Sequence, residues 1–316
     1  MATQYSRLDA RQLEYGDPMD QLLRSRLGYR MLTYGVMGYP LILSWRRGWL
    51  RSPRGDAKAM LRDGRILTCE LGDATQRTMY LGLFDPAETR LVREILSEGD
   101  TFIDVGAHIG WFSTIGSNRV GPAGRVVAFE PYESNISALK INLHQNDCTN
   151  VHVVESALGN QAGTLTLSKP GGDSGAVTAL DWAHEGGIEV AVATLDEVNE
   201  IFGNVTLLKI DVEGWELHVF QGGRETLSRT KYVIFEINSE AIAMAGSSLE
   251  EIVDLLRSVG FTTFLEIKEG GLRRFVRSPV TNVLALRSTG SHPLANGENL
   301  GLSRRTRRLL RDVARA

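Results

Sequence analysis

The stretch GDTFIDVGAHIGW, Gly99 to Trp111, decides the fold of this chain. Thr101 to Val105 is a short apolar run with β-branched residues, which predicts a buried strand. Gly106-Ala107-His108-Ile109-Gly110 follows as a glycine turn, and Trp111-Phe-Ser-Thr-Ile-Gly begins an apolar helix. Strand, turn and helix N-terminus together predict a cradle of free backbone N–H groups beside a positive dipole end. In this reading Gly106 lets the backbone approach a ligand without a Cβ, and Gly110 allows close helix–strand packing. The glycines alone are a weak signal and also fit an ordinary βα turn.

A second strand, Arg125 to Phe129, ends in Glu130-Pro131. An acid at the tip of the next strand suits a ribose with two free hydroxyls, because a carboxylate accepts both hydrogen bonds. A nicotinamide site uses the same device, but its fingerprint wants glycine where this chain has His108 and glycine or alanine where it has Trp111. The departure favours S-adenosylmethionine (SAM), which has no pyrophosphate to seat.

The chain has 316 residues, 42% apolar and 23% charged. Those values predict one large globular domain with extensions. Cys69 and Cys148 offer neither metal spacing nor a disulfide framework, which fits a reducing cytosol. The first 28 residues are polar and carry acids, so no signal peptide is expected. Met31 to Trp45 is too short and too broken to span a bilayer. The net charge of −3 hides basic ends. Gln21 to Gly55 holds seven arginines and no acid, interleaved with Tyr29, Tyr34, Tyr39, Trp45 and Trp49, and Gly301 to Ala316 holds six arginines against Asp312. The first stretch suits a lipid interface or a helical cap with a solvated face. The second follows a linker and reads as a mobile helix or a disordered tail. The expected protein is cytoplasmic, with possible peripheral contact at the inner membrane face.

Asp63-Gly64 between two alternating runs, Ala59 to Leu71, predicts a hairpin, and Pro86 to Leu96 a helix. Strands are then expected at 101–105, 126–129, 151–155, 205–210 and 232–237, with helical patterns between most of them. That alternation predicts an α/β fold, a parallel sheet with helices on both faces. Leu249 to Val259 reads as a helix, and Phe261 to Ile267 and Asn282 to Leu286 as strands that finish the sheet antiparallel. The expected divisions are a basic, aromatic-rich helical extension at 1–56, the main domain at 57–288 with the hairpin and helix of 57–98, and a linker and basic tail at 289–316.

With these residues placed, the chain resembles the FkbM family of class I SAM-dependent methyltransferases. The resemblance rests on FIDVGAHIGWFS, GRVVAFEPYESNISALKINLHQN, VHVVESALGNQAGTLTL, VATLDEVNE, LLKIDVEGWELHVFQGG and YVIFEIN, between residues 60 and 240. LLKIDVEGWE is the most specific of these segments. The resemblance implies a seven-stranded, Rossmann-like doubly wound sheet and methyl transfer from SAM to a hydroxyl of a sugar, glycolipid or natural product. It also implies that Asp104, Gly106, Ala107, His108 and Gly110, with Trp111 beside them, hold the methionine end of SAM. Glu130 would hold the ribose, Pro131 would shape the following turn, and Ser156 and Ala157 would border the adenine.

The enzyme of such a reaction must align an acceptor oxygen and take its proton. Alternation puts Lys209 and Asp211 on one side of a strand end. Asp211 is the first candidate as base, or as orienter of acceptor and cofactor, and Glu213 the second. Glu213 and Glu216 also fit as dipole-stabilising acids of a first helical turn. His108 has a suitable proton affinity, but a histidine in a glycine turn also serves as a strut. Asp211, Glu213 and Glu236 could bind a divalent ion, yet the chain lacks a compact DxD or HxH cluster and no metal is expected. Two other classes fit less well. A nucleic-acid methyltransferase agrees with the arginine-rich ends but not with the acidic core, so no nucleic acid is expected as partner. A membrane-associated SAM-binding scaffold would have lost the acids Asp104, Glu130 and Asp211, all present here.

Overall fold

The computed structural model describes residues 55–167, 187–198, 203–269, 271–276 and 278–287. The expected lipid-facing stretch and the arginine tail lie outside the described residues. Among those described, no helix is long and apolar enough to cross a membrane. The chain divides into two compact units, Met1–Phe84 and Asp85–Ala316.

In the first unit, β1 (Asp56–Met60) and β2 (Ile66–Glu70) pair antiparallel around the expected turn, with Gly64 at φ +88°. A short helix, α1 (Ala74–Tyr80), follows, and the Asp73 side chain caps its N-terminus by accepting from the Gln76 amide.

The second unit is built on an eight-stranded sheet. Its parallel part comprises β3 (Thr101–Val105), β4 (Arg125–Phe129), β5 (Val151–Val154), β9 (Val205–Ile210) and β10 (Thr230–Asn238). Every residue of β3 after Thr101, and every residue of β9 but Thr206, is buried, as expected for strands covered on both faces. The helices are α2 (Pro86–Ile95), α3 (Trp111–Val120), α4 (Glu133–Gln145), α5 (Glu216–Gln221), α6 (Arg224–Ser228), α7 (Ser239–Met244) and α8 (Leu249–Ser258). In α8 the Ser248 hydroxyl caps the N-terminus by accepting from the Glu251 amide and donates to the Glu251 carboxylate, ahead of buried Ile252, Leu255 and Leu256.

The full order is β12-β11-β13-β10-β9-β3-β4-β5, with β11 (Phe261–Lys268), β12 (Gly271–Arg274) and β13 (Val280–Arg287) at one end. The sequence reading differs in three respects. The seven expected strands gain an eighth, the short edge strand β12. Only β13 and β12 oppose the parallel set, because β13 inserts antiparallel between β10 and β11 and leaves β11 aligned with the core strands. A separate three-stranded sheet, β6 (Ala157–Leu158), β8 (Ile188–Ala193) and β7 (Gly163–Leu167), was not foreseen. Its first strand is two residues long, too short to leave an alternating pattern.

Candidate active site

From β3 the chain runs outward to β4 and β5, then returns to the other flank of β3 for β9 and β10. The sheet order therefore reverses between β3 and β9, and the crevice outside their carboxyl ends is where open α/β sheets take ligands. Each candidate from the sequence follows or ends one of these strands: Asp104 to Gly110 on β3, Glu130 and Pro131 on β4, Ser156 and Ala157 after β5, Asp211 and Glu213 after β9, and Glu236 near the end of β10.

The glycine turn is tied inward, which corrects the expected cradle of free amides. Gly106 and Ala107 both donate to the Phe129 carbonyl, His108 donates to Glu130 Oε2 at 2.8 Å, and Gly110 donates to the Ala107 carbonyl. Gly106 has φ +80°, and a Cβ there would lie 1.9 Å from the Asp211 carbonyl oxygen. It makes room for the adjacent strand end. Gly110, at φ +91°, would bring a Cβ within 2.7 Å of Leu139 Cδ1, so the close approach is to α4 and not to a strand. Trp111 is buried and its indole N–H donates to Thr89 Oγ1, joining α3 to α2. That places its side chain in the packing behind the turn. His108 is buried, with a left-handed backbone at φ 52°.

Three oxygens along this edge matter for ligand binding. Asp104, 1% exposed, accepts from Ser113 Oγ at Oδ2, while its Oδ1 is buried without a donor. Ser156 Oγ is likewise buried without a partner. Glu130 already accepts from the amides of His108 and Tyr132 and from Asn135 Nδ2. A carboxylate has about four lone-pair sites, so Glu130 as placed can take roughly one more donor.

On the other side of the turn, β9 ends in an ion-pair cluster. Lys209 Nζ lies 2.9 Å from Asp211 Oδ2 and 3.7 Å from Glu88 Oε1, with the Lys209 and Glu88 side chains 2% and 3% exposed and Asp211 30% exposed. Glu88, from the first turn of α2, carried no sequence signal; its local setting is that of any dipole-favoured acid. Carboxylate oxygens of Asp211, Glu213 and Glu236 all lie within 4.8 Å of one another, and could together hold a cation. Glu213 stands at φ 53°. Glu216 turns inward instead, accepting from the Val212 and Gly214 amides and fixing the loop that carries Glu213.

Burial raises the proton affinities of the carboxyls along this edge. Burial, opposed by the Lys209 charge, pushes Glu88 to about 8. Burial pushes Glu130 and Glu216 to about 7, and burial with the charges of Asp211, Glu213 and Glu216 pushes Glu236 to about 9. Burial also raises Asp104. Against burial, the charges of Asp211 and Glu88 keep Lys209 protonated. A carboxyl with a raised folded pKa binds its proton more tightly when folded. Its contribution to stability is full below the unfolded value of 4.5 and is lost as pH rises to the folded pKa. The ligand-free protein is therefore expected to lose stability from about pH 5 to about pH 9. Glu236→Gln should flatten the upper part of that fall, by on the order of 2 kcal/mol or more. Urea unfolding of both proteins across this range checks it, and a fall as steep in the variant contradicts the assignment.

The Methyltransferase FkbM domain family matches residues 104–263, half of the chain. The chain belongs to this family. Its activity is methyl transfer and its cofactor is SAM. Among curated proteins it is similar to the hexuronic acid methyltransferase AglP of Haloferax volcanii, 29% identical over 181 residues, covering 55% of this chain and 68% of that protein. It is also similar to the 2-O-methyltransferase NoeI of Sinorhizobium fredii, 24% identical over 158 residues. That match covers 44% of this chain and 64% of the relative, less than two thirds of its length. Similar solved structures include a TehB-like SAM-dependent methyltransferase from Corynebacterium glutamicum, at TM-score 0.42 and 11% identity, covering 67% of this chain and 94% of that one. A SAM-dependent O-methyltransferase from Thermotoga maritima matches at TM-score 0.40 and 14% identity, covering 73% and 77%. The fold assignment rests on the strand order itself.

Proposed function

We propose that this methyltransferase acts on a hydroxyl of a sugar, free or within a glycolipid or natural product, and that Asp211 takes the proton. The observation that carries the reading is the convergence of Asp211, Glu213 and Glu236 at the strand ends beside the Gly106 turn. The named acceptors of the two curated relatives, a hexuronic acid and a 2-hydroxyl, support the acceptor class.

The residues present fit SAM. Its ammonium is a donor suited to the unsatisfied Asp104 Oδ1, and the adenine edge suits Ser156 Oγ, with Ala157 beside it. Glu130 takes one ribose hydroxyl rather than two, since three of its sites are filled within the protein. When bound, SAM supplies a methyl group already activated by its sulfonium. The chain then has to orient the acceptor and remove a proton. Asp211 keeps Oδ2 on Lys209 and turns Oδ1 to the crevice, where it accepts the hydroxyl proton. Glu213 accepts from a neighbouring sugar hydroxyl. Glu236, which holds its proton at neutral pH, donates to a sugar oxygen.

The test is incubation of the full chain and SAM with methyl glycosides of neutral hexoses and of hexuronic acids, alongside RNA and DNA oligonucleotides, with products read by mass. The expected result is one added methyl group on a sugar oxygen of at least one glycoside. Methylation of an oligonucleotide and of none of the glycosides overturns the reading.

A further inference from the structure

Lys209 is buried: its side chain is 2% exposed on β9, at the position register-paired with Asp104 on β3, and packs against helices α2 and α3. Its ammonium sits 4.7 Å from the centre of the Phe112 ring, 3.7 Å from Glu88 Oε1 and 2.9 Å from Asp211 Oδ2. Helix α2 thus supplies an acid, helix α3 an aromatic face and β3 a further acid around one cation. Asp211 is the member of this group whose side chain reaches the surface.

A buried ion pair is a weak stabilising device, because apolar residues of the same volume often serve as well or better. What the arrangement supplies is direction. A carboxylate at the end of a strand has two soft torsions, and a short contact to an immobile cation removes that freedom. With Oδ2 held by the buried ammonium, the other carboxylate oxygen of this part-exposed side chain remains for the acceptor. Aligning the acceptor oxygen is much of the work in methyl transfer, and a misplacement on the order of 1 Å can cost about 100-fold.

We infer that Lys209 is the positioning residue of the reaction: its buried ammonium, packed against Glu88 and Phe112, fixes the Asp211 carboxylate toward the acceptor. The inference rests on the reading that Asp211 serves the acceptor. It also makes Lys209 act only through Asp211, which separates it from a general structural role. The burial-opposed charge that keeps Lys209 protonated agrees with this part.

The experiment has two readouts. The first is the crystal structure of Lys209→Met beside that of the unaltered protein. The Asp211 carboxylate should leave its position, and an Asp211 that stays in place overturns the inference. The second is a double-mutant cycle on turnover of SAM with methyl glucuronoside or the best glycoside of the panel. Lys209→Met should lower kcat about 100-fold, with SAM affinity within about threefold. Placed on Asp211→Asn, the same change should lower kcat no further, by less than about twofold. Losses that multiply show Lys209 acting independently of Asp211 and overturn the inference. If Lys209→Met alone does not fold, Lys209→Met with Glu88→Gln relieves the unpaired buried acid and enters the same cycle. Near-native turnover in Asp211→Asn alone sinks the acceptor reading, while a displaced Asp211 in the first readout still supports the positioning by Lys209.

Discussion

Asp211→Asn is expected to lower turnover by about 100-fold or more while SAM affinity changes little. The amide keeps the size and shape of the carboxylate but cannot take a proton at the crevice. Its oxygen still accepts from Lys209, so the buried ammonium keeps a partner on each side. Stripping a partner from a buried pair outright costs about 3–5 kcal/mol, and the substituted protein should lose clearly less than that. Steady-state kinetics with calorimetric SAM binding and thermal unfolding separate the two effects. Turnover within about threefold of the unaltered enzyme moves the base to Glu213 or His108.

Gly106→Ala is expected to have the largest effect on stability. The new Cβ would lie 1.9 Å from the Asp211 carbonyl oxygen, an atom of the neighbouring backbone that cannot swing aside. The left-handed backbone at φ +80° adds its own strain for any residue with a Cβ. Overpacking of a tight interior costs about 1–3 kcal/mol, and a left-handed residue about 1–2 kcal/mol. Together they predict a loss of about 2–5 kcal/mol in denaturant unfolding, a large share of a domain's usual margin of about 5–15 kcal/mol. Because the displaced atom belongs to Asp211, any folded fraction should also turn over slowly. A loss under about 0.5 kcal/mol would show that the two strand ends are not packed as described.

The parallel core was legible in the sequence because its strands are continuous apolar runs bounded by turn residues. The expected 101–105, 126–129 and 205–210 appear as 101–105, 125–129 and 205–210. Strand alternation likewise put Lys209 and Asp211 on one side, and they meet at 2.9 Å. The reason for Gly106 was not legible: the atom it avoids arrives from a strand far along the chain. Glu88 was missed for the same cause, since its partner Lys209 comes from a distant segment while its own helix offers an ordinary first-turn acid. The direction of β11 depends on which strand lies beside it, and β13 inserts there only after a further turn of chain. Glu216 looked like a dipole-favoured acid; its contacts with the Val212 and Gly214 amides follow from a turn that a periodicity cannot show.

The most direct measurement is a crystal structure with S-adenosylhomocysteine bound. The methionine end should lie along Asp104 to Gly110, with its ammonium on Asp104 Oδ1, one ribose hydroxyl on Glu130, and the sulfur opening toward Asp211, Glu213 and Glu236. A nucleoside seated away from Glu130, or a sulfur facing away from those three carboxylates, would contradict it.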